Sequence, residues 1–269
     1  MTDRKLRLEY HLTDLCNINC KSCSHFSCLV KHEEPKTLKK IEQDFAKIYQ
    51  LTNNGDNNLV EKVSIMGGEP LLYKNINTAI PYIRSLFKNV PITLLTNGSL
   101  LFYMGNNFYK MIRDNDISIT ISFYPIDIDY ENLRTFFSNK GIEYFNTYTI
   151  LKENIRVFDT KFFHPYHDEN YEQLHYNCRW REWCTQLVDG KIYLCALIAY
   201  FKFFDEEFKD QHIIEINETD CIDLEKINTW EELQIERDKV PHFCGYCRGL
   251  DKNLEEWEYT RKNINEWYY

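Results

Sequence analysis

Residues 11–26 read HLTDLCNINCKSCSHF, and the cysteines in this stretch, Cys16, Cys20 and Cys23, follow a C-x3-C-x2-C spacing. Three thiolates on one short loop can hold three corners of a cubane iron–sulfur cluster and leave the fourth iron without a protein ligand. Such an iron is open to a small molecule. Structural zinc prefers four protein ligands drawn from two separated pairs, so a lone trio at this spacing suits zinc poorly. Metal-free thiols are the third reading. Spacing, ligand type and composition together favour the open-iron cluster.

The 269-residue chain is 43% hydrophobic and 15% aromatic, enough for one large domain or one domain with a small appendage. No apolar run approaches a membrane span, and the opening MTDRKLRLEY lacks the apolar core of a secretory signal. A cytoplasmic protein with no membrane partner is expected. Ten cysteines would build a disulfide framework in a small secreted chain, but at this length and without an export signal metal binding explains them better. The net charge of −9, from 41 acidic and 32 basic residues, carries no footprint for nucleic acid, and none is expected as a partner.

Working outward from the cysteine loop, LRLEYHL (6–12) alternates as a strand that ends where the loop begins. A helix is predicted over 37–51, opening at Thr37, with Leu38, Ile41, Phe45, Ile48 and Leu51 at helical spacing. The unit recurs as strand 60–66 with helix 75–88, strand 91–96 with helix 106–114, and strand 117–122 with helix 130–139. A strand over 142–150 and a sixth near 155–159 complete the series. Alternating units of this kind predict an α/β fold with a parallel sheet and outer helices, wound by right-handed crossovers into an open or partial barrel.

Chemistry on such a sheet sits at the carboxyl ends of the strands. The cysteine loop follows the first strand, Gly67-Gly68-Glu69-Pro70 the second, Thr96-Asn97-Gly98 ends the third, and Ser122 ends the fourth. Two glycines let backbone approach a ligand closely, and the carboxylate after them can accept from an ammonium group. A plain strand-to-helix turn has the same composition. Its place on the rim beside the cysteine loop favours the ligand reading, while Asn97 and Ser122 suit turn chemistry and ligand contact equally.

With these motifs in this order, the sequence resembles the radical S-adenosylmethionine (SAM) superfamily over roughly residues 6–150. The resemblance implies a partial (β/α)6 TIM-like barrel over 1–159 and a 4Fe-4S cluster on Cys16, Cys20 and Cys23 whose open iron chelates SAM. It further implies that Gly67, Gly68, Glu69 and Pro70 contact the methionine amine. Reductive cleavage to a 5'-deoxyadenosyl radical and hydrogen abstraction from an unactivated C–H bond would follow, with a flavodoxin- or ferredoxin-type electron donor. One position departs from the family pattern: the residue before the third cysteine is often aromatic and lies near the adenine, and here it is Ser22. Phe26 and Tyr124 are the candidates to pack the adenine instead.

Five more cysteines lie late in the chain, Cys178, Cys184 and Cys195, then Cys244 and Cys247 in FCGYC. TQLVDGKIYL reads as a β-hairpin turning at Asp189-Gly190. The set resembles the twitch domain, the shorter form of the SPASM domain, which implies a second, auxiliary 4Fe-4S cluster in a small cysteine-rich domain over 178–250, after a bridge over 160–177 that carries His164, His167 and His175. Five thiols compete for four places. Cys178 stands where the twitch pattern expects its first ligand, yet Cys178-x5-Cys184 also resembles the first two SPASM ligands. A spare thiol such as Cys184 is a candidate hydrogen donor, or simply a buried cysteine. Zinc competes at this second site because a hairpin with C-x2-C is ribbon-like. Cys28 and Cys221 are expected to pack, residues 251–269 to form a C-terminal helix, and His11, His25, Arg156, Arg179 and Arg181 are weaker candidates for the cavity.

Two functions remain. The first is an oxidoreductase or epimerase acting on a small polar metabolite such as a sugar, aminocyclitol or nucleotide-sugar, an arrangement similar to that of 2-deoxy-scyllo-inosamine dehydrogenases. The second is maturation of a ribosomally made peptide, which is disfavoured because a first strand near residue 6 leaves no room for a leader-binding domain before it. A zinc-stabilised binding module is the non-enzymatic alternative.

Overall fold

The computed structural model describes residues 4–142, 144–146, 150–152, 155–250 and 252–269. Strands β1 (Leu6–Thr13), β2 (Val60–Gly67), β3 (Ile92–Thr96), β4 (Ile117–Ile121) and β5 (Tyr144–Asn146) pair in parallel, each with the next. Between them run α1 (Leu38–Leu51), α2 (Ile76–Leu86), α3 (Asn106–Asp114) and α4 (Tyr130–Lys140). Local chemistry sets the helix ends. Thr37 caps α1 by accepting from the Lys40 N–H, Asp129 caps α4 by accepting from the Asn132 N–H, and Gly141 ends α4 in the left-handed region at φ 61°. Ile41, Phe45, Ile48 and Leu51 form the buried face of α1, and Leu6, Leu8, Tyr10 and Leu12 alternate from β1 into the same core.

The expected sixth parallel strand takes another place. Residues 143 and 147–149 lie outside the described residues, and the described part of 142–150 contains β5 and β6 (Ile150–Lys152) rather than one strand. β6 pairs antiparallel with β7 (Ile155–Asp159) in a separate three-stranded sheet. A parallel neighbour needs a crossover of a dozen or more residues. The direct connection from Lys152 to Ile155 permits only a hairpin.

After α5 (Tyr171–Tyr176) and α6 (Trp180–Trp183), β8 (Thr185–Val188) joins the first sheet parallel to β1, and β9 (Lys191–Tyr193) folds back on it. The predicted turn is present, with Asp189 and Gly190 at φ 51° and 72°. Helices α7 (Ala196–Ala199) and α8 (Phe201–Phe208), strand β10 (Ile222–Asp223), α9 (Trp230–Arg237) and strand β11 (Leu254–Glu256) follow. The large sheet runs β10-β9-β8-β1-β2-β3-β4-β5, an open order with no pairing of its end strands among the described residues. The late cysteines therefore hang from an extension of the same sheet. No described helix is long and apolar enough to cross a membrane.

Residues 251–269 do not form the expected helix; residue 251 lies outside the described residues. β11 pairs with β7, and Ile264–Glu266 make only one 3-10 turn. The backbone groups that a helix would satisfy internally go to the cysteine loop: Lys21 N–H donates to the Glu258 carbonyl at 2.9 Å and Thr260 N–H to the Asn19 carbonyl at 2.9 Å. Trp267 is fully buried against Phe26, Phe204 and Phe208, and its indole N–H donates to the Cys23 carbonyl at 3.1 Å. Truncating this side chain removes a core aromatic and a hydrogen bond to the loop. Trp267→Ala should lower unfolding free energy by about 3–5 kcal/mol in chemical denaturation, and Trp267→Phe should recover most of that loss.

Candidate active site and a second thiol group

The ends of β1 and β2 are stitched together. Gly68 N–H donates to the Thr13 carbonyl at 2.9 Å, and Glu69 N–H to the Leu15 carbonyl at 2.8 Å. A Cβ on Gly68 would lie 2.3 Å from the Leu15 oxygen, and one on Gly67 2.2 Å from the Thr13 oxygen. Both glycines are thus required by the close approach of the cysteine loop itself. Pro70 opens the short turn that follows, and the Glu69 carboxylate, fully buried, accepts from Leu71 N–H at 3.0 Å, Thr96 Oγ1 at 2.6 Å and Asn97 N–H at 2.8 Å. Burial pushes this carboxyl up to about 7 against the pull of its donors.

Above this stitch lies a cavity of about 380 Å³ lined by Cys16, Cys20, Cys23, Gly67, Gly68, Asn97 and Ser122. Four strand ends converge on it as expected, while Glu69 and Pro70 stand behind the wall. Burial pushes the Cys16 thiol up to about 12 and raises Cys20 and Cys23 as well, with neighbouring thiols adding to it at Cys16 and Cys20. Backbone N–H groups of His25, Phe26 and Ser27 are aimed at Cys23 Sγ, and Ile18 N–H lies 3.4 Å from Cys16 Sγ. Buried thiols ringed by N–H donors suit thiolates neutralised by a bound metal core. Phe26 does not reach the cavity, being locked in the aromatic core, whereas Tyr124 lines it and stacks on Phe158. Ser22, at φ 52°, turns its hydroxyl to the Glu266 carbonyl.

His25, Asp159, Arg179, Trp180 and Trp257 also line the wall. Behind His25 runs a polar chain: His25 Nδ1 and His11 Nε2 are 2.8 Å apart, and His11 Nδ1 lies 2.7 Å from Asp14 Oδ1. The Tyr200 ring stacks on His11 with centroids 3.9 Å apart. Burial lowers His11 and takes His25 down to about 3; for Asp14 burial acts upward, but the His11 hydrogen bond and nearby cations outweigh it and leave about 2. Neutral His11 donates from Nδ1 to the carboxylate, so its Nε2 accepts from His25. Asp14 and Tyr200 were not singled out in the sequence. Asp14 carries a signal there, a carboxylate three residues beyond a histidine at a strand end; Tyr200, fifteen residues beyond a hairpin start, carries none.

The second thiol group forms at the hairpin. Cys178, Cys195, Cys244 and Cys247 line one apolar pocket with Leu194, Ile198 and Phe243, while Cys184 lies outside it and off the cavity wall, close to Cys178 and Glu9. Leu197 N–H is directed at Cys195 Sγ, and Gly249 N–H lies 3.4 Å from Cys247 Sγ. Among the described residues no three histidine, cysteine or carboxylate groups converge closely enough to hold a single metal ion. A tetrahedral zinc needs its sulfurs about 2.3 Å from one point. Arg181 lines the second pocket, Cys28 packs in the aromatic core, and the Arg156 side chain lies outside the described residues.

Residues 6–141 match the protein family described as a 4Fe-4S single cluster domain. The chain belongs to this family. It is a radical SAM protein, with a 4Fe-4S cluster and SAM as its cofactors. It is similar to GTP 3',8-cyclase of Alkaliphilus metalliredigens (strain QYMF), 36% identical over 96 residues, covering 35% of this chain and 28% of the relative. GTP 3',8-cyclase of Campylobacter jejuni subsp. doylei is 30% identical over 100 residues, covering 37% and 30%. The match thus spans less than a third of either cyclase. The crystal structure of BtrN in complex with AdoMet and 2-DOIA shares the fold, with a TM-score of 0.53 at 12% identity over 99% of both chains.

Two outcomes check this radical SAM site. Glu69→Gln turns an amide NH2 toward Thr96 or Asn97 and opposes a donor already there; it should cost about 1–3 kcal/mol of stability and weaken cluster retention, read by denaturation and iron content. His11 and His25 titrate below the free value of about 6.5, so their contribution is full above that pH and lost as pH falls toward the folded values. Glu69, raised to about 7, acts in the opposite sense over the same window, so the histidine contribution is read as a difference: between pH 7 and 5 the wild type should lose more Tm than His11→Asn does.

Proposed function

We propose that this protein is a radical SAM oxidoreductase or epimerase that removes hydrogen from a carbon of a small polar metabolite, such as a sugar, aminocyclitol or nucleotide-sugar. The observation carrying this reading is the cavity wall built by Asp159, Arg179, Trp180 and Trp257. Opposite charges suit hydroxyl, amino or phosphate substituents, and flat indoles suit the C–H face of a ring.

Cys16, Cys20 and Cys23 hold the first cluster, and Gly67 and Gly68, kept side-chain-free by the stitch, leave backbone open to the methionine end of SAM. Asn97 and Ser122 lie along the same wall to orient it, with Tyr124 for its base. Cys178, Cys195, Cys244 and Cys247 hold an auxiliary 4Fe-4S cluster, and Cys184 remains a free thiol. When bound, these groups supply reductive cleavage of SAM, removal of a hydrogen atom, and an acceptor for the electron left on an oxidised substrate. Phe158, Phe162 and Trp180 exclude water from the wall, and His25, backed by His11 and Asp14, faces the cavity as a hydrogen-bonding group. A flavodoxin- or ferredoxin-type protein provides the reducing electron.

Incubation of the reconstituted protein with SAM and a reductant should yield 5'-deoxyadenosine, and Cys20→Ala should reduce that yield to background. A panel of deuterated sugars, aminocyclitols and nucleotide-sugars should transfer deuterium into the 5'-deoxyadenosine. Transfer from peptides alone would replace this reading with peptide maturation.

A further inference from the structure

His175 lies in the last turn of α5, three residues before Cys178, and is almost fully buried, at 3% exposure. It lines the second thiol pocket, with Nδ1 3.5 Å from Cys244 Sγ. Its Nε2 is buried and has no partner among the described residues. No sequence pattern marked this ring as part of the thiol group. A local turn links it to the group, the Cys178 N–H donating to the His175 carbonyl at 3.0 Å, and tertiary packing sets its ring against Cys244, so the backbone that carries one thiol also carries the ring that faces another.

We propose that His175 is a positioning residue for the auxiliary cluster, donating its Nδ1–H to the Cys244 thiolate and raising the reduction potential of that cluster. The inference rests on the assignment of an auxiliary 4Fe-4S cluster to Cys178, Cys195, Cys244 and Cys247. A ligating thiolate has no proton to give, so a hydrogen bond between these two atoms runs from the ring to the sulfur in either protonation state of the imidazole. That tautomer leaves a lone pair on Nε2, the less costly group to bury without a partner, since orphaned N–H donors are rarer than under-satisfied acceptors. A donor to a cluster sulfur delocalises charge from the thiolate and favours the reduced, more negative state of the core. The Leu197 and Gly249 amides act on Cys195 and Cys247 in the same sense. No amide is directed at Cys244 in this way among the described residues, and the imidazole takes that role.

The test compares wild type, His175→Phe and His175→Gln after anaerobic reconstitution, with iron and sulfide counting and redox titration followed by electron paramagnetic resonance. Wild type and both variants should each hold about eight iron atoms, two 4Fe-4S clusters. In His175→Phe the auxiliary couple should shift to a more negative potential while the SAM-binding couple stays in place, and His175→Gln, which keeps an amide donor, should recover part of the shift. An unchanged auxiliary potential in His175→Phe at full iron content overturns the donor role. Loss of about four iron atoms in His175→Phe, with wild type at about eight, overturns it in favour of ligation. About four iron atoms in wild type itself would show instead that the auxiliary cluster is absent, and would remove the basis of the inference.

Discussion

Everything at the rim depends on the contact between two backbones, the cysteine loop after β1 and the glycine turn after β2. With Gly68 N–H on the Thr13 carbonyl and Glu69 N–H on the Leu15 carbonyl, the loops approach more closely than any side chain would allow. This sets where Cys16 stands relative to Asn97 and Ser122. The buried Glu69 carboxylate extends the constraint to the end of β3 through Thr96 and Asn97. Three strand ends are therefore held as one unit before any cofactor is considered, which is what a site needs to present three thiols at fixed separation.

The second core does for the outer side of the loop what the stitch does for the inner side. Phe26, Phe163, Phe201, Phe204 and Trp267 pack as one aromatic group, drawing residues from the cysteine loop, the bridge, α8 and the C-terminal segment. Four separate stretches of chain supply these rings, so the packing of the loop depends on the late chain. The same docking brings β7, Trp180 and Trp257 to the cavity and places the late thiols beside an extension of the large open sheet. Cavity and second thiol group thus share the support of one aromatic core.

Much of this was legible from periodicity and spacing. The helix of α1 followed from Thr37, Ile41, Phe45 and Ile48, the hairpin from Asp189-Gly190, and the convergence of the first cysteine trio with Gly67, Gly68, Asn97 and Ser122 from the order of strands. The misplaced elements share a cause. Residues 155–159 have the composition of a strand, but a strand does not say which neighbour it takes; the short link from Lys152 made it a hairpin partner. Residues 251–269 have an amphipathic composition that suits a helix, and lose that option because the cysteine loop offers their backbone better partners.

The sequence by itself determined the chemistry of the first site, because three thiols within eight residues share one loop and supply the ligand type and spacing. It also determined the alternating α/β architecture, since helical and strand periods are local properties of a dozen residues. Only the tertiary structure decided which late cysteines share a pocket, and that Cys184 does not, because the pocket thiols come from three separate stretches of chain. It alone set His25 against His11 and His175 against Cys244, pairs brought together by packing that no local pattern encodes.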